Sequence, residues 1–276
     1  MTPAGPVRFS ENLLTDNPAL YERTFPGTGA DNARFVADLV DRFGAGPRLS
    51  LLDAGSGTGR DAARLAELGF RVRGVDLSEQ MVRYARTRCP AVEFVVGDLR
   101  TLDTPAPVDV LTCLGSTLLH LHDTADVLTA LHRFAACLRP GGLLVLEMRN
   151  GAFLLTDRGR RELLDDQPQR HIEWEGLTYT SRTRLTVDLP AQLLRRERVW
   201  TWPGCAEPVA QHTAWRLLFP QELRHLLDSA GFEVLALFDQ PGPLTTPAWP
   251  GDGTLGDRLD GDRLHVVARQ ARGGEA

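Results

Sequence analysis

The run Leu51-Leu52-Asp53-Ala54-Gly55-Ser56-Gly57-Thr58-Gly59-Arg60 constrains this chain more than any other stretch. It reads as an apolar strand closed by an acid, a turn on three alternating glycines, and a helix entered at Asp61-Ala62-Ala63-Arg64-Leu65-Ala66. Glycine tolerates positive φ and leaves room for a ligand where a Cβ would otherwise stand. A strand, a glycine turn and a helix N-terminus together make a common cradle for nucleotide-like cofactors. The dinucleotide fingerprint G-x-G-x-x-G would need a glycine where Arg60 stands; the spacing here is G-x-G-x-G. Asp53 at the strand tip repels phosphate and suits an ammonium group through a charge-assisted hydrogen bond. The pattern points to a cofactor without phosphates.

The strand-then-acid unit repeats. Phe70-Arg71-Val72-Arg73-Gly74-Val75-Asp76 is a second strand whose closing acid, about 20 residues past the loop, is placed to take both hydroxyls of a ribose. Ser78 then caps a helix from Glu79 to Arg88, with Leu77 before it and Met81 on its first turn. Val92-Glu93-Phe94-Val95-Val96 leads to Gly97-Asp98-Leu99, and Val108-Asp109-Val110-Leu111-Thr112-Cys113 to Leu114-Gly115-Ser116. A helix from Asp123 to Leu138, an Arg139-Pro140-Gly141-Gly142 turn and a fifth strand, Leu143 to Met148, complete the series. In order and spacing, residues 50 to 150 resemble the class I S-adenosylmethionine-dependent methyltransferases nearly continuously. S-adenosylmethionine carries an ammonium, a carboxylate and an adenosine but no phosphate, as the Asp53 reading requires.

The resemblance implies an α/β fold: a Rossmann-like, mostly parallel seven-stranded sheet with helices on both faces, to which an inserted antiparallel β cap is added. It implies S-adenosyl-L-methionine as cofactor, held by Asp53, Gly55, Ser56, Gly57, Asp76, Leu77, Met81, Leu114 and Gly115. In the family the acid at Asp98 bonds the adenine amino group and the next residue, Leu99, packs on the ring. N-terminal helices close over the cofactor, which brings Tyr21 or Phe25 towards it. The segment Gly115-Ser116-Thr117-Leu118-Leu119-His120-Leu121-His122 leaves the fourth strand on the acceptor side and looks most like small-molecule N-methyltransferases of the glycine and amino-sugar type. His120 is the candidate base or acceptor positioner, since imidazole titrates near neutral pH, and Ser116 is a candidate substrate-binding residue.

Four segments divide the chain. Residues 1–46 read as a helical lid, with a short helix around Pro18-Ala19-Leu20-Tyr21 and an amphipathic one from Asp31 to Phe43. Residues 47–150 form the cofactor core. Residues 151–215 break the βα alternation: strands at His171–Trp174, Leu177–Asp188 and Leu193–Thr201, with a Glu175-Gly176 hairpin turn, suggest a cap for the acceptor. Within it Tyr179, Arg182, Arg184, Trp200, Trp202, His212 and Trp215 are candidate pocket residues, Arg216 a candidate carboxylate partner, and Glu147, closing the fifth strand, a candidate partner for an acceptor amine. Residues 216–276 complete the core sheet, with Ala214–Phe219 as a strand leading back into it and Pro241 to Gly261 as a mobile loop.

Composition narrows the partners. All 31 basic residues are arginine; the absence of lysine removes P-loop and Schiff-base chemistry from within the chain. A net charge of −5 disfavours nucleic acid as a partner. No 18-residue apolar run predicts a membrane span and Met1–Pro6 lacks the character of a signal peptide, so a cytoplasmic protein is expected. Cys89, Cys113, Cys137 and Cys205 are scattered and read as reduced, with no metal site. The Ala, Gly, Pro and Arg richness suggests a GC-rich genome and specialised metabolism such as antibiotic biosynthesis. The expected activity is methylation of a small-molecule nitrogen by a monomer or homodimer. An O- or C-methyltransferase on an aromatic or indole-like product, and a non-catalytic cofactor-binding protein, stay open as alternatives.

Overall fold

The computed structural model describes residues 12–27, 29–44, 49–165 and 169–271. Met1–Pro6 and the first eleven residues of the expected lid lie outside them. In chain order the elements are α1 (Leu13–Asp16), α2 (Pro18–Thr24), α3 (Gly29–Phe43), β1 (Ser50–Ala54), α4 (Arg60–Glu67), β2 (Arg71–Asp76), α5 (Glu79–Arg88), β3 (Glu93–Val96), β4 (Val108–Cys113), α6 (Thr124–Cys137) and β5 (Leu138–Arg149). They continue with α7 (Asp157–Leu164), β6 (Arg170–Trp174), β7 (Leu177–Asp188), β8 (Leu193–Thr201), β9 (Val209–Arg216), α8 (Pro220–Ser229), β10 (Phe232–Phe238) and β11 (Arg263–Gln270).

Seven strands form one sheet in the order β10-β11-β5-β4-β1-β2-β3. β3, β2, β1, β4 and β5 run parallel, and β11 lies antiparallel between β5 and β10. Successive strand side chains point to opposite faces, and burial of both faces explains why Leu51-Leu52 of β1 and Leu143–Leu146 of β5 are apolar without alternation. Leu52, Leu111, Leu144, Leu146 and Val266 point into one layer, against Leu131 and Phe134 of α6 and Leu223 and Leu227 of α8. Their neighbours Leu51, Val110, Val145 and Val267 point into the other, against Phe35, Val36 and Leu39 of α3. Both faces of β4 are therefore covered and all six of its residues are buried.

The fifth strand begins earlier than the turn at Arg139-Pro140-Gly141-Gly142 suggests. Leu138 already pairs with Val108, the register then shifts, and Leu143 pairs with Val110, so the turn becomes an irregularity within β5. A second sheet, in the order β6-β7-β8-β9, is antiparallel throughout. Its first hairpin turns on Glu175 (φ 49°) and Gly176 (φ 78°), the paired positive φ values of a tight hairpin. Its fourth strand, Val209–Arg216, replaces the expected Ala214–Phe219 strand of the core. Buried Gln211 and Arg216 hide the apolar alternation that would have revealed it.

The Gly- and Pro-rich segment from Pro241 to Gly261 is irregular, but it is tethered rather than a free loop. The Asp239 carboxylate accepts from the amides of Asp260 (3.1 Å) and Gly261 (3.0 Å). Asn150 donates to the carbonyls of Leu259 and Gly261, and the Trp249 indole to Asp38. Among the described residues no helix is long and apolar enough to cross a membrane.

Candidate active site

The parallel strands deliver their closing acids to one sheet edge. At the turn after β1, Gly55 (φ 84°) and Ser56 both donate backbone N–H to the Val75 carbonyl, at 2.7 and 2.9 Å. A Cβ on Gly55 would lie 2.2 Å from Thr117 Cγ2, so the residue is held to glycine by packing as well as by φ. Gly57 (φ 53°) differs: a Cβ there would meet nothing within 4 Å. It borders open space, and its N–H donates to Asp76 Oδ2 at 2.8 Å while Ser78 N–H donates to Oδ1 at 2.8 Å. The Asp76 carboxylate is thus fixed, with lone pairs on both oxygens left for further donors.

Asp53 is 3% exposed and accepts from the Thr112 hydroxyl at 2.8 Å. Burial, then the neighbouring charges of Asp61 and Asp76, pushes its carboxyl up to about 7. Asp61, on the first turn of α4, accepts from Asn32 of α3 at 3.0 Å, and burial raises it too. Burial raises Asp76, opposed by its two backbone donors. Among the described residues none of the three has an ion-pair partner within salt-bridge distance. Carboxyls crowded in this way are stabilised by an incoming cation. Sequence reasoning missed Asp61; its place beside the glycine turn was the available signal.

The other cofactor-side candidates divide. Asp98 accepts from the Arg100 amide at 2.9 Å and from its guanidinium at 2.6 to 3.2 Å. The Arg100 hydrogen bond, the largest influence, holds Asp98 below the usual carboxylate range. Any adenine contact there shares the carboxylate with Arg100. Leu99 is half-buried against the core. Met81 is buried, its amide bonded to Ser78 Oγ at 3.2 Å, whereas Leu77 is 70% exposed beside Asp76. The Ser56 hydroxyl is buried against Gly74 without a hydrogen-bond partner and points into the fold.

On the acceptor side, Leu114 is buried among core residues of α3 and β5, and Gly115 follows with φ 64°. The Gly115 amide donates to Glu147 Oε2 at 2.7 Å, and Arg263 donates to Glu147 Oε1 at 3.1 Å. Glu147 is therefore a buried fastener between β5, β11 and the β4 loop, not a free partner for an acceptor amine. Ser116 is likewise buried, its hydroxyl accepting from the Arg149 amide at 3.0 Å.

His120 closes a short helical turn, Thr117–His120. The residue is solvent-exposed, with the Trp215 ring beside it. Desolvation by the protein atoms around it, then the charges of Arg196 and His122, lowers the imidazole to about 4. It is neutral at pH 7. The Trp215 ring lies 6.3 Å away, with the Arg196 guanidinium 4.5 Å and that of Arg149 5.5 Å from the Trp215 centroid.

Strand register decides which cap residues can face His120 and Trp215. Opposed residues of antiparallel strands project to the same side. Leu185↔Arg196↔Thr213, Thr183↔Arg198↔Gln211 and Leu194↔Trp215 share the face that carries Trp215. Arg182, Arg184 and His212 belong to the opposite face, which removes them as pocket candidates. Tyr179 is 1% exposed and stacked on Trp202 at 5.2 Å. With Trp200 both pack against Leu13, Leu14 and Leu20, so these aromatics seat α1 and α2 on the second sheet. Arg216 is paired with Glu222 at 2.8 Å.

α2 is pinned over the glycine turn: Arg60 Nη1 donates to the Phe25 carbonyl at 2.7 Å, and Tyr84 donates to Glu22 at 2.9 Å. Tyr21, on α2, lies within electrostatic reach of charged groups on both sides. Burial raises its hydroxyl, which also feels Arg60, Asp61, Asp76 and Arg196. Among the described residues no cluster of three His, Cys, Asp or Glu side chains is arranged to hold a metal ion.

Known proteins match this arrangement. A methyltransferase-domain family model covers residues 51–142. The chain is 37% identical over 255 residues to a trans-aconitate 2-methyltransferase of Azoarcus sp. (strain BH72), covering 87% of this chain and 92% of that enzyme. It is 36% identical over 130 residues to a dTDP-3-amino-3,6-dideoxy-alpha-D-glucopyranose N,N-dimethyltransferase of Streptomyces fradiae, 46% of this chain and 51% of that enzyme. The chain thus spans about half the length of such amino-sugar relatives. In fold it is similar to the sugar N-methyltransferase of Streptoalloteichus sp ATCC 53650, with a TM-score of 0.75 at 22% identity over 98% of this chain and 99% of that one.

Proposed function

This chain belongs to the S-adenosylmethionine-dependent methyltransferase family, and from that premise we propose that it methylates a nitrogen of a small-molecule acceptor in bacterial specialised metabolism. The observation that carries the reading is the cluster of Asp53, Asp61 and Asp76 at the carboxyl edge of the sheet, without an ion-pair partner among the described residues, together with a neutral His120 on the loop after β4. The acids suit the ammonium and sulfonium charges of the cofactor, Asp76 its ribose, and the open space at Gly57 its approach. Leu77 offers apolar surface that an adenosine would cover.

Bound S-adenosylmethionine supplies a methyl group already activated on a sulfonium. The chain's own task is to orient the acceptor and exclude water. His120, neutral at pH 7, accepts a hydrogen bond from an acceptor N–H and turns the nitrogen lone pair towards the cofactor side. So weak a base positions the acceptor and leaves the proton to solvent. Tyr21, protonated, is a donor on the boundary between cofactor and acceptor. The relatives that act on dTDP-linked amino sugars favour nitrogen. The second sheet would be the acceptor cap and α1 and α2 the lid, while α3, expected to belong to that lid, packs instead on the core sheet; the protein would be a cytoplasmic monomer or homodimer.

A carboxylate oxygen is the second reading. It is favoured by the trans-aconitate 2-methyltransferase alignment, which reaches across 87% of the chain and is not confined to the core. The test is methyl-labelled cofactor with dTDP-amino sugars, glycine and trans-aconitate in parallel. Label on an amine supports the first reading, label only on an acid moves the assignment to the second, and label on none of a broad acceptor panel overturns both.

A further inference from the structure

Two guanidiniums on the inner face of the second sheet have no acid to answer them among the described residues. Arg196 and Arg198 alternate along β8 and project to the side that carries Trp215, Trp200 and Gln211. Arg198 is 5% exposed; its Nε donates to Thr183 Oγ1 at 3.0 Å, and its Nη1 is buried without a hydrogen-bond partner among the described residues. Arg196 Nε donates to Thr213 Oγ1 at 2.9 Å. Neither side chain has a carboxylate within salt-bridge distance among the described residues. Aromatic faces hold them instead, Arg196 on Trp215 and Arg198 between Phe25 (5.7 Å) and Trp200 (5.5 Å).

Burying a guanidinium beside another cation is costly unless an anion completes the set. Each of the two is lowered below the ordinary arginine range, by burial first, and Arg196 further by Arg198 and Arg149. Cation–π contact offsets part of that cost, but it leaves donors in place for an oxyanion. The fork geometry of arginine matches carboxylate and phosphate oxygens. The pair also sits where an acceptor would extend: Arg196 shares Trp215 with His120, and its charge is felt by both His120 and Tyr21.

We propose that Arg196 and Arg198 form an anion subsite for the acceptor, so that the substrate carries a phosphate or carboxylate group which docks on β8 while its reacting atom lies beside His120. The subsite builds on the methyltransferase reading but is chemically separate from methyl transfer. Two sources supply such an oxyanion: the diphosphate of a nucleotide-linked acceptor, and the carboxylate of a free acid.

The experiment is calorimetric titration of the full chain, saturated with S-adenosylhomocysteine, using thymidine diphosphate in one arm and trans-aconitate in the other. Saturable binding of either one, weakened at least roughly tenfold by Arg196→Gln and by Arg198→Lys, is expected. Arg182→Gln, on the outer face, should leave binding unchanged. The ligand that binds identifies the source. Arg196→Lys, which keeps charge and stem but not the fork, covers the case in which the Gln variant fails to fold, and it too should bind more weakly. Absence of saturable binding to both anions, or binding indifferent to Arg196 and Arg198, would overturn the subsite. Since the readout needs no methyl transfer, it can fail while the methyltransferase reading stands, and the reverse.

Discussion

Asp53→Asn should make the cofactor-free protein more stable and less able to bind its cofactor. Asp53 is almost fully buried, with one neutral hydrogen-bond partner and two acidic neighbours, and its carboxyl is pushed from 3.8 up to about 7. A carboxyl raised in the folded state holds its proton longer there than in the unfolded chain. Between those two values the folded state binds more protons, so its stability falls as pH rises through that window. At about 1.36 kcal/mol per pK unit, the full penalty above pH 7 is on the order of 4 kcal/mol. Roughly 3 kcal/mol of it develops between about pH 5 and about pH 8.5. Asparagine keeps an acceptor for Thr112 and cannot ionise. The variant's advantage in denaturant unfolding should therefore grow by about 3 kcal/mol over that range, less whatever its new amide N–H loses by finding no partner. The cofactor's cation should in turn expel the Asp53 proton. Wild-type affinity should rise with pH through neutrality, with proton release seen by calorimetry in buffers of different ionisation enthalpy. Parallel wild-type and variant stability curves across pH would refute the reasoning.

Other outcomes follow from the same geometry. Asp76→Ala should weaken S-adenosylmethionine binding by about 1–3 kcal/mol through lost ribose hydrogen bonds, read by calorimetric titration; unchanged affinity would remove Asp76 from the site. Gly57→Ala adds a Cβ in open space and should fold with a penalty of about 1 kcal/mol for its positive φ while losing much cofactor affinity, whereas Gly55→Ala meets Thr117 and should lower Tm markedly. His120→Ala should reduce kcat more than cofactor affinity. Because the imidazole is already neutral well below pH 7, the wild-type rate profile should show no His120 inflection near its ordinary value of 6.5; an inflection there that vanishes in the variant would contradict the lowered imidazole.

The parallel core was legible because its punctuation is local. Asp53, Asp76 and the Ser78 cap lie within a few residues of the strands and helices they terminate, and β4, β7, β8 and α5 fall where the sequence pattern predicts them. What was illegible depends on contacts far along the chain. Glu147 reads as a strand-end acid on an acceptor site, and only the arrival of Arg263 from β11 turns it into a buried fastener. Arg182 and Arg198 look equivalent on alternating strands; which one faces inward depends on which face of the second sheet receives α1 and α2. Tyr179 and Trp202 looked like pocket aromatics for the same reason and instead hold those helices. β9 was hidden by Gln211, whose burial is made tolerable by Trp200 and Asn12.

The central claim is that the acid-lined sheet edge holds S-adenosylmethionine. Isothermal titration of the wild-type chain with S-adenosylmethionine and with S-adenosylhomocysteine tests it most directly. Saturable one-to-one binding of both, each tightening as pH rises through 7 and losing that dependence in Asp53→Asn, is the predicted result. Failure of either ligand to bind at any pH from mildly acidic to mildly alkaline would contradict the account.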